Sequence, residues 1–169
     1  MIGPILYDPI SYPQLAMASE SQQQSGEPVE QIIDEASGWT NIDVEPHRFN
    51  AVEFNLGAHE IGHIHRMGSL DINYPKRMRD TLIDEGRTGE HHFVPESGWT
   101  SFTVDSADDV NDGLWLLRIS HLYRALTKRN KPEGREVLEN TDLEAELSEM
   151  DVSDAVMEIF ANVAELERQ

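Results

Sequence analysis

The 169-residue sequence has no cysteine. That excludes disulfide scaffolds, thiol catalysis, cysteine zinc sites and iron–sulfur ligation. Basic residues are also scarce: ten arginines and three lysines (Lys76, Lys128, Lys131) stand against 32 acidic residues, for a formal net charge of -19. A surplus of that size repels phosphate backbones, so no nucleic-acid partner is expected. Abundant carboxylate with little lysine suits a halophilic protein, because in molar salt a Debye length of about 3 Å screens the self-repulsion. A mesophilic acidic protein is the alternative. No run approaches the ~20 apolar residues of a membrane-spanning helix, and no membrane partner is expected. The sequence has no nucleophile-elbow serine, no phosphate-binding glycine loop and no dinucleotide fingerprint, so hydrolase, kinase and nicotinamide-dehydrogenase chemistry lack support.

What is present falls into three stretches. Residues 1–27 read as a flexible leader, with Pro4, Pro9 and Pro13 ahead of a Ser-, Gln- and Glu-rich run. Ala16-Met17-Ala18 resembles a cleavage site, but no basic residue precedes Arg48, and Asp8, Pro9 and Pro13 interrupt any apolar core. A secretory signal is therefore not expected, and a cytoplasmic location is. Residues 28–127 carry the periodic patterns. Val29, Ile32, Ile33 and Ala36 predict a helix that ends at Gly38. Alternation predicts strands at Ile42–Val44, at Val52–Leu56 and over 59–66, with Gly57-Ala58 as a turn. A helix is expected from Pro75, with Met78, Leu82 and Ile83 as its stripe and Gly86 at its close. Strands are expected near 91–94 and 98–104, then a long helix capped by Ser106 with Asp109 completing a capping box. Residues 128–169 form an acidic segment, featureless to 150, with an amphipathic helix beyond Asp151 or Ser153 built on Val156, Ile159, Phe160 and Val163, with Leu166 nearby. That helix can dock on the body or form a homodimer. The order of elements predicts an α+β fold: an antiparallel sheet of about five strands with helices packed on one side, plus the C-terminal helix.

The segment Leu56–His65 is the richest in chemistry. On a strand, His63 and His65 share a face, together with Ile61. Two such imidazoles can chelate a metal or form a polar corner of a pocket. With Asp71 or with His91-His92 they can complete a facial triad for iron or another divalent transition metal. In the plainer reading one histidine caps a sheet edge and the other is solvated. Arg79 can hold an enolate or carboxylate through its planar fork, or pair with Asp80 or Asp84. His92 and Val94 share a face if 91–94 is a strand, and Ser97 belongs to a turn with Pro95 and Gly98. Trp99 can wall an aromatic pocket or fill the core.

Several short motifs stand together: His47-Arg48-Phe49, Val52-Glu53-Phe54, Glu60-Ile61-Gly62-His63-Ile64-His65, Arg79-Asp80, Leu82, His91-His92, Pro95, Ser97-Gly98-Trp99 and Leu116-Leu117-Arg118. In this order they resemble the luciferase-domain family, which comprises small prokaryotic proteins and the fungal luciferase. The resemblance covers about residues 29–127. It implies an O2-dependent oxidoreductase that binds a planar enol or phenol and needs no organic cofactor. For that chemistry, residue type and position make His63 or His65 the candidate base, Arg79 the group that holds the enolate, and Trp99 a stacking surface. Asp71, His92 and Ser97 complete the candidate ligand-binding set. The expected partner is a small planar, anionic organic molecule. The alternatives are a metal-dependent enzyme or metal binder through His63 and His65, and a non-enzymatic interaction module.

Overall fold

The computed structural model describes residues 26–165. The predicted leader, apart from residues 26–27, and Leu166 lie outside them. A helix, α1, runs through 26–37 and buries Val29, Ile32 and Ala36. Strands β1 (Ile42–His47), β2 (Ala51–Leu56) and β3 (His59–His65) follow where alternation places them. The chain then adds β4 (Ser69–Asn73), which the sequence reading does not anticipate. Leu70 and Ile72 alternate there with Ser69 and Asn73, but the run is short and its central residue is an aspartate. Helix α2 (Lys76–Asp84) buries Met78 and Leu82, and Gly86 takes a positive φ just beyond it.

The strand expected near 91–94 is not there. Pairing stops after the two residues of β5 (Gly89–Glu90), and the chain leaves the sheet edge. His92, Phe93 and Val94 are exposed on a loop, so the expected alternation of His92 and Val94 against His91 and Phe93 does not hold. Pro95 and a turn closed by Ser97 N–H donating to the Val94 carbonyl explain why no ladder forms. Strand β6 (Trp99–Thr103) returns to the sheet. Ser106 and Asp109 then form the expected capping box, and a short 3-10 turn leads into α3 (Val110–Thr127).

The acidic segment is not featureless. It holds α4 (Pro132–Glu139), α5 (Leu143–Glu149) and α6 (Asp154–Glu165). Pro132 sits in the first turn of α4, and Asp142 caps α5 by accepting from the Ala145 N–H. Val137, Leu147, Val156, Ile159 and Phe160 join the same core as the sheet, so the stripe of α6 is buried on its own chain.

The sheet has six strands in the order β1-β2-β3-β4-β6-β5, all antiparallel. The fold is α+β, with one strand more than the sequence suggests. Helix α3 lies across β2, β3 and β4, and α4 and α6 pack on it in turn. Covered on several sides, α3 is buried over most of its surface, Ser120 and His121 included, rather than along one stripe. It packs tightly on the sheet at Gly62, where an added Cβ would lie 2.9 Å from Leu117 Cδ1 and 3.2 Å from the Asp71 carbonyl oxygen.

Helix α3 also buries a polar corner. His121 is fully buried and stacks on Trp39 with ring centroids 5.6 Å apart. Its Nε2–H donates to the Thr40 carbonyl at 3.1 Å, and its Nδ1 accepts from Arg118 Nη1 at 2.7 Å. Arg118 forks onto Glu146 at 2.5 and 2.9 Å. Burial, then the Arg118 charge, push the His121 pKa down to about 3, so the ring is neutral. Among the described residues no helix is long and apolar enough to cross a membrane.

Candidate functional site

The side of the sheet away from α3 carries the site, and an irregularity in β3 builds it. Gly62 pairs with Phe54 and Glu60 with Asn55, so Ile61 is an extra residue with no partner across the ladder. Such a bulge breaks the alternation. Ile61 joins the buried core instead of sharing a face with His63 and His65, which corrects the expectation from simple strand periodicity. Glu60 swings to the histidine side, and its Oε1 lies 2.5 Å from His63 Nδ1.

Beyond the bulge the pattern is regular. His63 and His65 point the same way, and His63 pairs across the ladder with Asp71 of β4. Asp71 is buried and uses its two oxygens differently. Oδ1 accepts from Ser101 Oγ at 2.6 Å and from Ser69 Oγ at 3.1 Å. Oδ2 faces the Nε2 atoms of His65 at 3.2 Å, His63 at 3.5 Å and His91 at 3.7 Å. Three imidazoles from two separate segments thus converge on one carboxylate oxygen.

The electrostatics distinguish the histidines. Burial opposes charge on His63, but hydrogen bonds to Asp71 and Glu60 and their negative charges outweigh it, raising its pKa to about 9. Burial lowers the pKa of His65, and the charge on His63 adds to this against the pull of Asp71. Burial would raise the Asp71 carboxyl, yet hydrogen bonds from His63, Ser101 and Ser69 hold it well below the usual carboxylate range. Without a ligand at neutral pH, His63 is charged, His65 neutral and Asp71 ionised.

The cluster forms the floor of an open cavity of about 470 Å³, within the range of small-molecule sites. His47 lines it and stacks on His63, with centroids 4.3 Å apart, while its Nδ1 is tied to Glu53. His92 lies at the mouth together with Phe49, Met67 and Phe93. Trp99 stands beside the floor, its ring 5.3 Å from that of His63 and 6.2 Å from that of His91.

Three expected residues do not line the cavity: Trp99 stands beside it, and Arg79 and Ser97 are placed elsewhere. Arg79 is buried but does not line the cavity; it donates to Asp80 Oδ1 at 2.6 Å, to Glu90 Oε1 at 3.2 Å and to the Pro95 carbonyl. It fastens the 91–98 loop, which carries His91 over the sheet. Ser97 also stays outside, donating to the Val94 carbonyl and accepting from the Trp99 N–H within the turn. The sequence reading missed Glu60, His47 and the central place of His91. His47 and Glu60 stood only in the motifs that carry the family resemblance, and the His91-His92 pair did not separate the residue that reaches Asp71 from its neighbour at the rim.

His63, His65 and Asp71 place their ligand atoms close enough to share a cation. With bonds of about 2.1 Å, neighbouring donors on a tetrahedral or octahedral metal are ~3.0 to 3.4 Å apart. The separations from Asp71 Oδ2 are close to this spacing. The outer contacts also suit a metal: Glu60 can orient His63 through Nδ1, and the two serines occupy Oδ1 while Oδ2 faces the imidazoles.

The family model described as Luciferase domain matches residues 58–120. The match takes in β3, β4, α2, the His91 loop and the first part of α3, and so every residue of the His63, His65, Asp71 and His91 cluster. Over that stretch the chain is similar to a luciferase domain. The match is shorter than the span of the resemblance read from sequence; it begins after the His47–Phe54 motifs. No curated protein and no solved structure matches the chain.

Proposed function

We propose that this luciferase-like domain binds a small planar, anionic organic ligand over a divalent transition metal held by His63, His65 and Asp71, with His91 beside them. The supporting observation is the convergence of the three Nε2 atoms on one Asp71 oxygen at the floor of an open cavity. A donor set of nitrogens and one carboxylate suits zinc or ferrous iron. A bound metal would polarise the ligand oxygen as a Lewis acid. His63 would give up a proton on binding, its Nδ1–H still directed to Glu60. The luciferase likeness makes an O2-dependent oxidation of an enol or phenol the reaction class to test. Arg79 acts here as a positioning residue, through the loop that carries His91.

A second reading uses the same residues without metal, and the opposite pKa shifts of His63 and His65 favour it. Neutral His65 would take the proton from an enol or phenol, and the charged His63 would hold the resulting oxyanion. Elemental mass spectrometry decides between the two, on tag-free protein purified in molar salt without chelator. A stoichiometric transition metal, lost in His63→Ala and His65→Ala, is expected. Metal-free protein that retains no zinc, iron, manganese or cobalt after dialysis against each would overturn the metal reading in favour of acid–base use.

A further inference from the structure

Three apolar side chains stand in solvent around the mouth of the cavity. Phe49 is 87% exposed, Phe93 85% and Met67 72%. Val94, next to Phe93, and Val44 are the other large hydrophobics exposed among the described residues. The most exposed apolar groups of a chain with net charge -19 are therefore gathered at one place, on three separate loops that share a cavity wall. Scattered exposed apolar residues need no explanation, but a cluster at the mouth of a polar centre does.

The backbone at Phe49 supplies a second observation. Phe49 has φ 57 and ψ 39, and Asn50 follows with φ 59. Left-handed residues in a three-residue hairpin loop are ordinarily glycine or asparagine, because a bulky side chain is disfavoured there. A phenylalanine in this position costs conformational energy and is not repaid by burial. Its use lies in what the ring can touch. Strain of this kind gathers at ligand clamps.

Given the proposed function on which this rests, we infer that Phe49 and Phe93 are specificity-determining residues. They would grip the flat apolar body of an amphiphilic ligand while its anionic oxygens reach the His63, His65 and Asp71 floor. The ligand class is then an aryl-bearing enolate, phenolate or similar oxygen chelator, rather than a small wholly polar acid. The cavity, at about 470 Å³, has room for one or two fused rings with the chelating head.

The test uses the full chain loaded with Co2+ and titrated with acetohydroxamate and 1-naphthohydroxamate, which share a head and differ in the body. The naphthyl compound should bind more tightly. Phe49→Ala and Phe93→Ala should each weaken it by about tenfold, on the scale of one lost aromatic contact, and leave acetohydroxamate within twofold. Acetate and 1-naphthoate, titrated into metal-free protein in parallel, should show the same selective loss. If Co2+ does not bind but the naphthoate arm shows the loss, the metal reading fails and the aromatic grip stands. Equal effects on both members of each pair, or none, overturn the grip whatever the metal result. Because both rings are exposed, the variants should keep the wild-type melting temperature. Phe49→Asn should lose naphthyl affinity without losing stability, a combination that a purely structural role for the ring would not produce.

Discussion

Acid should loosen this fold through His121, a residue remote from the cavity. The ring is buried and neutral, with a pKa of about 3, and its Nδ1 accepts from the Arg118 cation. Protonation would place two positive charges in contact and remove the acceptor. The sign follows from where the protons bind. Between pH 6.5 and 3 the unfolded chain carries a proton on His121 that the folded chain does not, so stability falls as pH drops through that window and is unaffected above it. With the unfolded value at 6.5 and the folded value at 3, the loss from this one group is ~2 kcal/mol at pH 5. His121→Gln keeps a donor for the Thr40 carbonyl and an acceptor for Arg118, and it does not titrate. Urea unfolding of both proteins at fixed salt, at pH 7.5, 6 and 5, isolates the effect, because all other titrating groups are shared. The stability gap between wild type and variant should shift by ~2 kcal/mol against the wild type over that range. Parallel pH curves for the two proteins would refute the account and show that His121 is not held neutral.

Two further outcomes follow from the site. Glu60→Gln should weaken metal binding about 10- to 100-fold in a chelator-competition titration, because it removes the charged partner of His63 Nδ1. Gly62→Ala should cost about 1 to 3 kcal/mol, read as a lower urea midpoint at unchanged slope. The added methyl meets Leu117 on one side and the Asp71 backbone oxygen on the other, and the backbone cannot yield as a side chain can.

Much of the fold was legible because burial imposes period on sequence. The stripe of α1, the positions of β1 to β3, and the Ser106 and Asp109 capping box all appear where the residues predict them. Strand β4 escaped because its site-facing residue, Asp71, is buried among polar partners, where an apolar pattern gives no signal. Helices α4 and α5 escaped because each is short, buries only one or two residues and carries three glutamates. Their starts were still encoded, by Pro132 and by the Asp142 cap. The His63 and His65 pair was legible from its spacing of two. The convergence with Asp71 and His91 was not, because it depends on which strands pair and on a loop folded back over the sheet. The pairing of Arg79 with Asp80 was legible, but its contacts with Glu90 of β5 and the Pro95 carbonyl are fixed only in three dimensions.

The unpaired Ile61 has a consequence beyond this chain. On an unbroken strand a glutamate three positions before a histidine projects to the opposite side and cannot touch it. The contact between Glu60 and His63 therefore marks a counting error in the ladder, visible as a parity change in the order Glu-Ile-Gly-His. A carboxylate and an imidazole at odd separation, with an aliphatic residue and a glycine between them, is a text pattern that can be sought in other sheet proteins. Where such a pair is found in contact on one strand, it marks a strand that has gained one residue and so puts two polar groups on the same side.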